Sequence, residues 1–167
     1  GTLQAIFEYQ SLIASLTGMD VANASHYDGA TATAEAGIMA LAHFRGKRTK
    51  IVLSPSIHPQ YTKTLCSYLC GEEDVEIVGN EPASYPLPDP SELIARIDNN
   101  TALVVVQYPD FFGRIFDYTQ LAEAVHKAGA LFCVIVNPIT LGLLKPPGEF
   151  GADIVAVSYT HPEPTRP

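Results

Sequence analysis

Apolar side chains at Leu3, Ile6, Phe7, Leu12, Ile13 and Leu16 fall at helical spacing, and Gly18 is a natural stop. A short apolar piece, Met19–Ala24, leads into a turn-rich stretch over Ser25–Thr31. An Ala-rich helix is predicted from about Ala32 to Phe44, then a brief strand over Lys50–Leu53. Gln60–Cys70 reads as a helix stopped by Gly71, Val75–Val78 as a strand, and Glu81–Pro90 as a proline-rich surface connection. Ser91 is expected to cap a helix running to about Ile97. Leu103–Val106 and Leu131–Val136 are continuous apolar runs of the kind buried on both faces of a sheet. Between them Tyr118–Ala128 reads as a helix stopped by Gly129, and a last strand begins near Asp153.

Short apolar strands alternating with helices predict an α/β fold with a mainly parallel sheet covered on both sides. At 167 residues the chain suffices for one such unit. Gly1 opens directly on an amphipathic helix and the chain stops soon after its last strand begins, so a fragment cut at both ends is expected. The architecture alone names no function, because many chemistries share it.

Composition changes the picture in two ways. Only 17% of residues are charged against 47% apolar, which predicts that some surface is covered by another subunit or by further parts of the same protein. The formal net charge of −8 argues against nucleic acid and anionic lipid, which need clustered Lys and Arg. Arg45, Lys47, Arg48 and Lys50 form the one basic cluster, read as a solvated helix end before a strand entry. Cys66, Cys70 and Cys133 show neither a CxxC nor a His at zinc-ligand spacing, so no metal is expected, and the helical pair reads as small buried apolar groups. The absence of a signal-type start and of a span-length apolar run leads to the expectation of a soluble, cytoplasmic protein.

Three places carry candidate chemistry. Asp28, Gly29, Ala30 and Thr31 precede a helix, where small residues and free amides suit a phosphate, but the residues alone favour a plain N-cap by Asp28 or Thr31. No GK[ST] follows, so this is not a Walker loop. Asn137 ends a buried strand, where ligands of open α/β sheets sit; it also suits a turn cap. His58 follows another strand end and could either stack on an aromatic ligand or lie at the surface.

Taken together these segments resemble a known family. Leu3–Ala24, Ser25–Ala36 (S-H-Y-D-G-A-T-A-T-A-E-A), Val106–Phe112 (V-Q-Y-P-D-F-F, then Gly113) and Asn137–Ile154 (N-P-I-T-L-G-L-L-K-P-P-G-E-F-G-A-D-I) are similar to the first subunit of two-subunit glycine decarboxylases, the P-proteins of the glycine cleavage system. The likeness runs from Gly1 to about Ala156. It implies part of the large domain of the aspartate-aminotransferase-like, fold type I, pyridoxal-phosphate-dependent transferases. It also implies a role, with a second P-protein subunit, in decarboxylating glycine and passing the aminomethyl group to the lipoylated H-protein.

Departures from the catalytic pattern matter as much. Where catalytic members of the fold pair an Asp with the pyridinium nitrogen of pyridoxal 5'-phosphate, the matching residue is Asn137. The cofactor-bearing lysine of the fold belongs to a later strand, and Lys145 stands too close to Asn137 to be it. The resemblance therefore implies that the second subunit carries the cofactor. It makes Asp28, Gly29, Ala30, Thr31, His58 and Asn137 vestigial or shared-site positions and leaves the isolated chain inactive. Two alternatives stay open: a degenerate interaction module, and a self-sufficient enzyme of the same fold. From Val157 to Pro167 the likeness stops, and Val157–His161 matches one reading frame of a common sequencing adapter, so this tail is expected to be non-native.

Overall fold

A computed structural model describes residues 1–81 and 83–157. Helix α1 (Thr2–Thr17) and helix α2 (Gly29–Phe44) precede strand β1 (Lys50–Leu53), helix α3 (Pro59–Leu69) and strand β2 (Glu76–Val78). Strand β3 (Thr101–Tyr108), helix α4 (Thr119–Lys127), strand β4 (Leu131–Val136) and strand β5 (Ile154–Val157) follow. The five strands form one sheet in the order β2-β1-β3-β4-β5. Every pairing is parallel, with Leu53 beside Val105, Val104 beside Phe132 and Val136 beside Val157.

Both faces of this sheet are covered, as its unbroken apolar strands require. On one face α2 and α3 lay Ala34, Ala40 and Leu65 over Ile51, Leu103, Val105, Cys133 and Ile135. The alanines bring α2 close: a Cβ at Gly37 would already touch Ile51 and Leu65 at 3.5 Å. On the other face α4 sets Leu121, Ala122 and Val125, with Leu93, Tyr118 and Phe150, against Val104, Val106, Phe132, Val134 and Val136. Alternate residues of one strand thus serve opposite cores. Cys133, wholly buried among apolar groups, has its thiol pushed up to about 12.

The strand order determines where a ligand can enter. The chain steps from β1 outward to β2, returns across β1 to β3, and proceeds the other way through β4 and β5. After β1 it therefore turns to the α3 face and after β3 to the α4 face. In open α/β sheets ligands enter at such a switch point, which here is at the carboxyl ends of β1 and β3.

Several local expectations need adjustment. α2 starts at Gly29 rather than near Ala32, because Asp28 caps it. The Ser91 segment is a 3-10 helix, Pro90–Arg96, capped by Asp89, whose carboxylate accepts from the Ser91 amide while Glu92 reaches back to the Asp89 amide. β3 is twice as long as its apolar centre because Thr101 and Tyr108 are also buried in the ladder. Cys70 is exposed and Cys66 only partly covered. Half of the basic cluster is structural: Arg48 donates to the Thr101 carbonyl, and buried Lys50 bonds Asp98 at 2.7 Å, which holds that carboxyl below its ordinary value. The tail expected to be non-native, 157–167, begins with Val157, which pairs with Val136 as the end of β5, and residues 158–167 lie outside the described residues. No described helix is long and apolar enough to cross a membrane.

Gly79, just after β2, has φ +80°, and a Cβ there would overlap the Leu53 carbonyl oxygen at the end of β1. Gly79→Ala is expected to destabilise the chain by about 1–3 kcal/mol, since strain and overlap act together. Urea denaturation checks this; an unchanged midpoint would show that the β2 edge shifts freely.

Candidate functional site

The loops flanking the switch-point crevice are joined to each other. After β1, the Ser54 amide donates to the Val105 carbonyl at 2.9 Å and so prolongs the ladder by one bond. The His58 amide donates to the Gln107 side-chain oxygen at 2.8 Å. Its ring Nδ1 accepts from the Gln60 amide at 3.2 Å, capping α3 beside Pro59, which has no amide hydrogen to offer. The ring lies 4.9 Å from Phe111, edge to face, and 5.4 Å from Tyr61.

After β3 the chain folds around Asp110, a carboxylate only 6% exposed. One oxygen accepts from the Phe112 and Arg114 amides at 3.0 and 2.9 Å, and the other from Arg114 Nε at 2.8 Å. The same guanidinium donates to the Ser56 hydroxyl at 2.9 Å and lies over the rings of Phe112 and Phe116. Below them the Tyr118 hydroxyl donates to the Gln107 carbonyl, and burial raises it well above the usual phenol range. The sequence reading missed Ser56, Gln107, Asp110 and Arg114. Only the Asp-x-x-Gly spacing of Asp110 and Gly113 carried a signal, that of a side-chain-stabilised turn.

The other candidates stand at the same end of the sheet. Asp28 accepts from the Thr31 amide at 2.7 Å, and its own amide donates to the Thr31 hydroxyl, a reciprocal cap. Gly29 and Ala30 are buried; Ala30 belongs to the core cluster that holds Ile135 and Ala156, so α2 begins over β4 and β5. Asn137 follows β4 directly. Its side-chain oxygen accepts from the Ile139 amide at 3.0 Å and caps a 3-10 turn over Pro138–Gly142. The fold thus gathers all six sequence candidates at the carboxyl edge, but each polar side chain among them caps its own turn. No hydrogen bond joins Asp28, His58 and Asn137 to one another among the described residues.

These residues do not make a cradle for pyridoxal phosphate. The Thr31 amide at the start of α2 is already taken, and the Asp28 carboxylate puts negative charge where a phosphate would need the helix end. Asn137 offers an amide in place of a charged partner for the ring nitrogen. Lys145 is exposed in a loop. Among the described residues no group of three or more His, Cys, Asp or Glu is arranged to hold a metal.

Asp28→Ala is expected to lower stability by about 0.5–2 kcal/mol through loss of the cap, with Asp28→Ser restoring most of it. Thermal melts of the three proteins measure this. An unaltered melt for Asp28→Ala would show that the reciprocal cap contributes nothing.

Comparison with known proteins adds an independent line. The family model described as glycine cleavage system P-protein matches residues 1–161, five beyond the Ala156 limit of the resemblance seen in the sequence. The chain is 49% identical over 154 residues to the probable glycine dehydrogenase (decarboxylating) subunit 1 of Lysinibacillus sphaericus, covering 92% of the chain and 34% of that protein. Against the protein of the same description from Erythrobacter litoralis it is 50% identical over 159 residues, covering 93% and 34%. It spans about a third of the length of the curated relatives it matches. The crystal structure of glycine decarboxylase (P-protein) of the glycine cleavage system, in inhibitor-bound form, superposes with TM-score 0.82 at 41% identity, over 93% of this chain and 34% of that one. A methionine gamma lyase from Micromonospora echinospora superposes with TM-score 0.60 at 18% identity, over 87% of this chain and 36% of that one, and so shares the fold alone. The sheet is that of fold type I pyridoxal-phosphate enzymes. With nearly every residue matched by one family model and about half of them identical in its members, the chain belongs to the glycine cleavage system P-protein family.

Proposed function

We propose that this chain is part of the first subunit of a two-subunit glycine decarboxylase in the cytoplasm. With its second subunit the enzyme decarboxylates glycine and hands the aminomethyl group to the lipoyl arm of the H-protein. The observation that carries the reading is Asn137 at the carboxyl end of buried β4, in a chain of this family. Decarboxylation of an amino acid needs a sink for the electron pair released, which pyridoxal phosphate supplies as a protonated ring. A side-chain amide can hydrogen-bond the ring nitrogen but cannot hold its charge. The second subunit therefore carries the cofactor, and this chain contributes surface and polar groups to a shared crevice.

The exposed apolar side chains support a partner. Leu3, Phe7 and Leu12 of α1 are 84%, 70% and 69% exposed, and Tyr27, Ile139 and Leu143 beside the candidate residues are more than three-quarters exposed. In this reading Asp28, Gly29, Ala30, Thr31, His58 and Asn137 face the second subunit rather than a private ligand.

Two outcomes are expected. Borohydride reduction of the chain with pyridoxal phosphate, followed by peptide mapping, leaves no single lysine stoichiometrically labelled; a unique label, at Lys145 above all, would overturn the assignment of the cofactor to the partner. In the two-subunit enzyme, Asp28→Ala and Asn137→Ala are expected to weaken glycine–bicarbonate exchange or subunit association. If both stay normal in both variants, these residues are ordinary caps and the shared crevice is wrong.

A further inference from the structure

Buried Asp110 and half-buried Arg114 form an ion pair in the loop after β3 that belongs to none of the roles proposed above. Its geometry points outward from the loop after β3 to the loop after β1. Asp110 organises its own turn by accepting two amides, while its amide donates to the Arg114 carbonyl at 3.0 Å and Gly113 returns a bond to the Asp110 carbonyl at 2.9 Å. Gly113 takes φ +78°, which an L side chain would resist. From that rigid turn two bonds cross to the neighbouring loop, Arg114 Nη2 to the Ser56 hydroxyl and the Phe111 amide to the Ser56 carbonyl, both 2.9 Å. Ser56 is 4% exposed and stands two residues before His58.

The clamp therefore reaches the histidine. Phe111, held by Ser56, presses edge to face on the imidazole, and Gln107 of β3 holds the His58 amide. With Nδ1 accepting from the Gln60 amide, the neutral ring carries its proton on Nε2. Nε2 has no hydrogen-bond partner among the described residues.

We propose that Asp110 is a positioning residue, which through Arg114 and Ser56 clamps the two crevice loops together and fixes His58 with its Nε2–H as the open donor for an acceptor atom of the bound ligand. This rests on the crevice being the shared site proposed above. A carboxylate this buried is suited to the task because it tolerates few arrangements. Its charge needs the guanidinium and the two amides together, so the loop has one low-energy conformation.

The test uses the intact two-subunit enzyme with Asp110→Ala, Asp110→Asn, His58→Ala and the double Asp110→Ala/His58→Ala variant. Glycine–bicarbonate exchange is measured with hydrogen–deuterium exchange of the peptides covering residues 54–61 and 109–116. Asp110→Ala is expected to speed deuterium uptake in both peptides and to lower kcat/KM for glycine about tenfold. His58→Ala should lower it similarly, and the double variant no further than His58→Ala alone, since both act through one ring. Asp110→Asn keeps the acceptor for the two amides and should recover part of both readouts; if Asp110→Ala does not fold, Asp110→Asn carries the test with smaller losses in the same direction. Normal kcat/KM in the Asp110 variants beside a loss in His58→Ala overturns the proposal, and so does a double variant whose losses multiply. Full activity in His58→Ala instead sinks the crevice reading, and uptake then judges the clamp by itself: faster exchange at 109–116 with none at 54–61 refutes it.

Discussion

A parallel sheet with apolar residues on both faces must be covered on both, and this requirement governs the rest of the molecule. Ile51 and Leu53 belong to one core while Val52, between them, belongs to the other. Helices must then leave the strand ends toward opposite sides. With β1 followed by α3 on one face and β3 by α4 on the other, the loops leave toward opposite faces at the switch point of the sheet. The switch point is a by-product of covering the sheet.

Loops that diverge still have to be held. Their backbone polar groups have no strand partner beyond Ser54, and here side chains supply the bonds: His58, Asn137, Asp28 and Asp110 each accept from amides just downstream. Of these four, Asp28 is exposed and His58 and Asn137 are half-buried. Asp110 differs because it is buried and paired, and because its partner Arg114 crosses to Ser56 on the other side of the crevice.

Charge at the start of α2 follows the same logic. A helix N-terminus favours an anion, and the chain supplies its own in Asp28. The position that would attract a phosphate is thereby filled by a carboxylate within hydrogen-bond distance of the Thr31 amide. Together with the amide of Asn137, this supports the proposal that the second subunit carries the cofactor.

Much of this was legible in the residues themselves. The apolar runs of β3 and β4, the Ala-rich α2 and the glycine stops at Gly18 and Gly129 are local signals, and local propensity and burial agree in them. Motif-length stretches such as Asn137–Ile154 carried the family. Element ends were less secure: Asp89 rather than Ser91 begins its 3-10 helix, because capping depends on which backbone amides lie within reach. What only the tertiary structure decided was the pairing of Asp110 and Arg114 with Ser56, 58 residues away for the guanidinium, and of Gln107 with the His58 amide. No sequence period records such contacts. They exist because parallel pairing of β1 with β3 brings two distant loops to one edge, and strand order is a property of the whole sheet.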